Sequence, residues 1–192
     1  MRKRAELVDE TILRITEAAV RLHTTLGPAR TTISAVAEEA GVTRLTVYRH
    51  FADEQQLFAA CTQHWVALHP SPDASAWAQV PPVQQRAQWA LTELYAWYRE
   101  NAQALLLFAR DRGALPAAVR DTAAAMDAAY GDALIAGAGV RGAARRRLRA
   151  AAGHVVSYPT WRSLAVEQGL GDAAAVRLAV AFLTAALPRP RH

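Results

Sequence analysis

The chain has 192 residues, 52% of them apolar, and a formal net charge of +5, which is enough apolar content to bury a core without covalent staples. A single cysteine, Cys61, excludes an intrachain disulfide and any zinc site built on paired cysteines, and points to a reducing setting. The longest nearly apolar run, Leu178 to Leu187, falls far short of the roughly 20 residues that span a bilayer.

Acidic Glu6, Asp9 and Glu10 stand where a signal peptide would need its apolar centre, so a soluble, cytoplasmic protein with no membrane partner is expected. The positive charge suits an anionic partner and bears on association, not on fold.

Apolar residues recur at helical spacing in almost every segment, with little period-two alternation and with Gly and Pro mostly at the joints. This predicts an all-α fold of about nine helices. The first runs from about Asp9 to Leu26, with Ile12, Ile15, Ala19 and Leu22 along one face, Gly27 just past its end and Pro28 forbidding continuation. Thr32 then reads as the N-cap of a short helix to Ala40, Gly41-Val42-Thr43 as a turn, and Thr43 as the cap of a second short helix to about Phe51. A fourth helix is expected from the cap Asp53 to Leu68, and the proline-rich stretch 69–82 reads as a linker.

Further helices are expected over 83–100, 102–112, 116–136, 142–168 and 172–187, with Pro188 and Pro190 opening a tail that frays. Pro159 lies inside the 142–168 segment. It should kink that helix near Val155 and open carbonyls beside His154 and Tyr158 as a pocket wall.

The two short helices form a helix-turn-helix pattern, in which the first braces the backbone and the second enters the major groove. Val36, Ala37, Val42, Val47 and Phe51 supply the buried side, and Gly41 the left-handed turn. Thr43, Arg44, Leu45, Thr46, Tyr48, Arg49 and His50 remain to be shared between DNA and solvent. A helix over these residues is about 12 Å long, comparable with a major groove about 12 Å wide.

The run Ile15-Thr16-Glu17-Ala18-Ala19-Val20-Arg21-Leu22 with Gly27, then Thr31-Thr32-Ile33, Ala37, Ala40-Gly41-Val42-Thr43, Thr46, Val47-Tyr48-Arg49-His50-Phe51 and Leu57, resembles the N-terminal signature of the TetR family of transcriptional regulators. The resemblance covers roughly residues 12 to 60. It implies a DNA-binding domain over 1–52 and a helical ligand-binding and dimerisation domain over 53–192, with 53–68 as connecting helix. By position it makes Thr32, Thr43, Tyr48 and His50 phosphate contacts, and Arg44, Leu45 and Thr46 the face nearest the bases.

Three positions depart from the pattern, among them His23, which replaces an aromatic common in the first helix and reads as a core-edge imidazole, not a metal ligand. Leu45 replaces the small residue often found there, and Glu54 stands where the family often has a lysine, which puts that phosphate contact in doubt. The arm Arg2-Lys3-Arg4 either reaches DNA or is a solvated tail.

In the helix from Val83, Trp89, Glu93 and Trp97 follow at one-turn spacing. An acid between two indoles could hold a cationic aromatic ligand, or could simply be a surface carboxylate beside core-edge rings. Phe108, Met126, Tyr130, His154, Tyr158 and Trp161 recur at helical spacing, as core or as pocket lining. Between Ala173 and Leu187 only Arg177 and Thr184 are polar and share one stripe. That leaves apolar surface for two neighbours, the protein's own core and a second copy.

For an enzyme the sequence offers one nominal match, the GxGxxG of residues 137–142, which follows a helix instead of a strand and reads as a helix-helix loop. Cys61 and His64 lie three apart with no third ligand evident, and Arg145-Arg146-Arg147-Arg149 read as a solvated face. No catalytic residue, metal or cofactor is expected. The family implies a homodimer that binds palindromic double-stranded operator DNA, represses transcription, and is released by a small apolar effector. The alternative is a DNA-binding or interaction protein without effector.

Overall fold

The computed structural model describes residues 2–188, with side chains from Leu7 onward. Among these residues there are eleven α-helices and no strand. They form two compact units, and the units do not follow chain order: among the described residues the first comprises 2–70 and 101–120, the second 71–100 and 121–188. The chain therefore passes between them at 70/71, 100/101 and 120/121.

The first unit holds α1 (Arg2–Thr25), α2 (Ile33–Glu39), α3 (Arg44–His50), α4 (Glu54–Leu68) and α7 (Ala102–Arg110). Helix α1 begins earlier than the Asp9 start expected from the apolar periodicity. The side chains of the basic arm, residues 2–4, lie outside the described residues. The core of this unit gathers Ile15, Ala18 and Ala19 of α1 with Ile33, Val36, Ala37, Val47, Phe51, Leu57, Phe58 and Cys61. These are apolar positions at helical spacing, as one buried face per helix requires.

Local capping sets the ends of three of these helices. Thr32 Oγ1 accepts from Ala35 N–H at 3.2 Å, Thr43 Oγ1 from Thr46 N–H at 3.1 Å, and Asp53 Oδ1 from Gln56 N–H at 2.8 Å. Gly27 ends α1 at φ 96°, and Pro28 then opens a short 3-10 turn. This turn is tied to the end of α7: Asp111 Oδ2 accepts from Ala29 N–H at 3.0 Å, and Arg110 donates to Leu26 O at 2.8 Å. A hydrogen bond and charge from Arg110, together with the Ala29 amide, hold the Asp111 carboxyl below its ordinary range.

The second unit holds α5 (Ala74–Ala78), α6 (Val83–Glu100), α9 (Gly142–Val156), α10 (Tyr158–Trp161), a π-helical segment (Arg162–Glu167) and α11 (Asp172–Ala185), together with α8 (Ala117–Leu134) from Asp121 on. Leu91, Leu94 and Tyr95 of α6 are fully buried, as are Leu134, Leu148, Val156, Ala175 and Leu183.

The stretch 69–82, expected to be a linker, contains α5. Asp73 caps this helix through Ser75 N–H at 2.8 Å, and Trp77 is fully buried. The indole makes the difference, because its apolar area outweighs the prolines around it.

The single helix expected over 142–168 is broken, not kinked. Ser157 is extended at φ −75°, ψ 138°, and Pro159 sits in the first turn of a new helix, α10. There its missing N–H costs nothing, whereas inside a continuous helix its ring would meet the Val155 carbonyl. The carbonyls freed by the break are not pocket wall. Tyr95 donates to Val155 O at 2.9 Å and Tyr98 to Val156 O at 2.6 Å, both buried.

At the end of α8 the buried guanidinium of Arg86 donates from Nε to Val80 O at 2.8 Å and from Nη1 to Leu134 O at 3.1 Å and Ala136 O at 2.5 Å. It fills the role of a C-cap from another helix, since the last carbonyls of a helix have no partner within it. The tail beyond Pro188, including Pro190, lies outside the described residues.

Candidate functional site

Helix α3 is held by one side and open on the other. Val47 is buried and Phe51 follows it into the core, while Thr43, Arg44, Leu45, Tyr48 and Arg49 are exposed. Gly41, at φ 65°, lets the Val42 N–H return to Ala37 O at 2.9 Å, which sets the angle at which α3 leaves α2. An exposed ion pair of Arg21 with Glu39, 2.8 Å, links α1 to α2.

Arg44 and Arg49 are paired with no carboxylate among the described residues. Their charge is therefore uncompensated locally. Leu45 is 79% exposed, a large apolar side chain at the start of the helix with no protein surface to cover it.

The hydroxyls are less free than their exposure suggests. Thr43 Oγ1 lies 2.9 Å from Thr46 Oγ1 as well as capping Thr46 N–H, and Thr46 is half-buried. If Thr46 donates within this pair, the Thr43 O–H points outward as a donor. His50 is half-buried and its Nε2 is enclosed without a partner. Thr32 is exposed at the start of α2, and Glu54 is exposed in the first turn of α4.

Of the nine residues singled out as ligand-lining, eight lie in the second unit and Phe108 in the first. Phe108 packs edge-on to Phe58 with ring centroids 6.3 Å apart. Glu93 does not stand between two indoles alone: its Oε2 accepts from the Trp77 indole N–H at 2.6 Å. Sequence periodicity missed this partner because Trp77 sits in the segment taken for linker. Trp89 is exposed and Trp97 buried, so the two frame no common slot.

Met126 is half-buried, with its sulfur 3.7 Å from the Ser71 hydroxyl. Tyr130 packs on Trp77 at 5.0 Å. Tyr158 and Trp161 lie 5.5 Å apart and join Tyr98 in one aromatic cluster, whereas His154 faces out against Phe182 at 5.3 Å. Burial pushes the hydroxyls of Tyr95, Tyr98, Tyr130 and Tyr158 upward, which keeps them neutral donors. An open cleft of about 460 Å³ lies elsewhere in this unit, lined by Asp132, Ile135, Arg141, Arg145 and the glycine loop 137–139, and by none of the nine.

Cys61 finds its partner in His23, not His64: Sγ lies 3.3 Å from His23 Nδ1. Burial raises the thiol to about 12 and lowers the imidazole to about 4, so both are neutral near pH 7 and no reactive thiolate forms.

The pair of capped helices joined through a glycine turn, with one face in the core and the other outward and cationic, gives the first unit a helix-turn-helix. Residues 15–61 match the family of bacterial regulatory proteins, tetR family. Over 60 residues the chain is 43% identical to the HTH-type transcriptional regulator TtgR of Pseudomonas putida, a match covering 31% of this chain and 29% of that protein. The likeness of fold is longer. A TetR transcription regulator from Haloarcula marismortui ATCC 43049 superposes with TM-score 0.59 at 18% identity, covering 93% of this chain and 97% of that one. The multidrug binding protein EbrR, complexed with imidazole, superposes with TM-score 0.55 at 23% identity, covering 94% and 91%. The family match thus covers residues 15–61 and the curated relative is matched over 29% of its length, while the likeness along the rest of the chain is one of fold. No helix among the described residues is long and apolar enough to cross a membrane.

Proposed function

We propose that the protein is a cytoplasmic homodimeric repressor that reads palindromic operator DNA with α3 and leaves it when a small apolar ligand binds the second unit. The observation that carries the DNA reading is the outward face of α3, where Arg44 and Arg49 stand without a carboxylate on a helix anchored by buried Val47. In this reading Arg44 pairs with guanine O6 and N7, Leu45 meets a thymine methyl, and Thr46 lies against the bases. Thr32, Thr43, Tyr48, Arg49 and His50 meet the backbone. The exposed apolar side chains of α11, Leu178 and Phe182, support a two-fold dimer seam, since a monomer gains nothing by leaving them in water.

Release requires coupling between ligand and DNA sites. The segment 101–120 belongs to the first unit while its neighbours on both sides belong to the second, and α8 runs unbroken across 120/121. A ligand that shifts α8 thus has a covalent route to the recognition helices in addition to α4. The description of EbrR as a multidrug binding protein supports a small-molecule reading, with Trp89, Glu93, Trp97, Met126, Tyr130, His154, Tyr158 and Trp161 as candidate lining.

The test is selection of duplexes from a random library by the full-length protein, followed by anisotropy titrations at matched salt. A palindrome with half-sites about one helical turn apart is expected. Arg44→Ala should weaken it by about 1 to 3 kcal/mol and relax preference at one base pair per half-site. An unselective library, or unchanged preference in the variant, would remove α3 as the reading element.

A further inference from the structure

Trp161 is 1% exposed, and its indole Nε1 has no acceptor within hydrogen-bond distance. Indole donors that are this buried ordinarily find a partner, because an unmade bond forfeits the hydration of the N–H with no return. Around the ring stand Tyr98 at 5.9 Å and Tyr158 at 5.5 Å. Neither the floor nor the roof of this cluster supplies the acceptor. The hydroxyls of Tyr95 and Tyr98 donate to Val155 O and Val156 O and accept nothing from Trp161 Nε1, and the guanidinium of Arg99, which has no acceptor atom, lies 5.8 Å over the indole face, held there by Asp172.

The backbone around Trp161 is interrupted twice. A helix restarts at Tyr158–Pro159, and immediately after Trp161 the chain passes into π-helical bonding over Arg162–Glu167. π-helical turns are rare and occur frequently at functional sites. An orphaned, enclosed donor and a π-helical turn at the same residue are independent signs of a ligand position.

We propose that the Trp161 N–H is the polar anchor of a small-molecule site framed by Tyr98, Tyr158 and Trp161, and that the site takes a neutral, largely apolar molecule carrying one hydrogen-bond acceptor, such as an aryl ketone. The ligand is not a cation, because Arg99 already occupies the indole face that a cation would seek. Tyr158 is the half-buried ring of the three, so it is the one that gives way on entry. The proposal rests on the small-molecule reading of the second unit and names its anchor and its chemistry.

The experiment uses the full-length protein and two matched probes, 2-acetylnaphthalene and 2-ethylnaphthalene, which differ by the carbonyl. Calorimetric titration should give at least a tenfold preference for the ketone, and ¹⁵N-indole spectra should show the Trp161 N–H moving downfield with the ketone alone. In Trp161→Phe the preference for the ketone over the hydrocarbon should fall within twofold, whatever the change in the affinity of both. If that variant does not fold, 3-benzothienylalanine at position 161 keeps the ring shape and removes the N–H. Equal binding of the two probes to the wild type, binding of neither, or a preference that survives loss of the N–H overturns the proposal. A ketone that binds through Trp161 and leaves operator affinity unchanged upholds the site and overturns the release mechanism instead.

Discussion

The helix-turn-helix and the second unit are held by different means. In the former, the capping bonds that set the starts of α2, α3 and the following α4 join residues three apart: Thr32 with Ala35, Thr43 with Thr46, Asp53 with Gln56. In the second, the polar contacts that hold the helices together reach across 16 residues from Trp77 to Glu93, 50 from Arg86 to Ala136, and 60 from Tyr95 to Val155. A helix pair set by local caps can keep its shape while its surface side chains vary. A unit tied by distant buried donors responds as a whole when one of them is lost.

The sharpest way to break this contrast is at Arg86. Replacing it with Met leaves three carbonyls, those of Val80, Leu134 and Ala136, without their donor, while Ala133 O keeps the Ala136 N–H. At about 1 kcal/mol each the expected loss is about 3 kcal/mol, read as a lower urea midpoint by tryptophan fluorescence. A loss below about 1 kcal/mol would mean that the second unit does not depend on its long-range cap.

Acid should act on the first unit through His23. Its pKa falls from 6.5 to about 4 on burial, so between those values the unfolded chain binds the extra proton. Stability is full above about pH 6.5 and declines as pH falls toward about 4, by about 3 kcal/mol in all. His23→Phe should flatten that window in urea titrations run at several pH values, and an unchanged slope would point to the carboxylates instead.

Two glycines then separate crowding from backbone strain. A Cβ on Gly27 would collide with Asp111 Oδ2, which Ala29 holds in place, whereas on Gly41 it would meet nothing within 4 Å. Both have positive φ. Gly27→Ala should cost about 3 kcal/mol and Gly41→Ala about 1 kcal/mol, compared by thermal unfolding. Equal losses would show that the tie between Gly27 and the end of α7 carries no energy. The smallest effect is expected at Thr43→Ala, about 1 kcal/mol or less from the lost cap. Operator affinity should fall alike for all sequences, because that hydroxyl faces the backbone in the proposed complex.

The helix-turn-helix and its outward residues were legible because everything that makes them lies within a few residues: the caps, the glycine at the turn, and the buried positions of each short helix. The ends of α2, α3, α4 and α6 and the all-helical class follow from the same local rules. What stayed hidden depends on partners far along the chain. Pro159 told of an interruption, but whether the helix bends or restarts was decided by two tyrosine hydroxyls waiting for the freed carbonyls. Trp77 turned a proline-rich stretch into a buried helix by finding Glu93, and Arg86 capped a helix it is not part of. The placing of residues 101–120 with the first unit, and of one indole N–H with no partner at all, were likewise settled only in three dimensions. Periodicity reports which face of a helix is buried; it carries no information on which distant face, or which donor, will meet it.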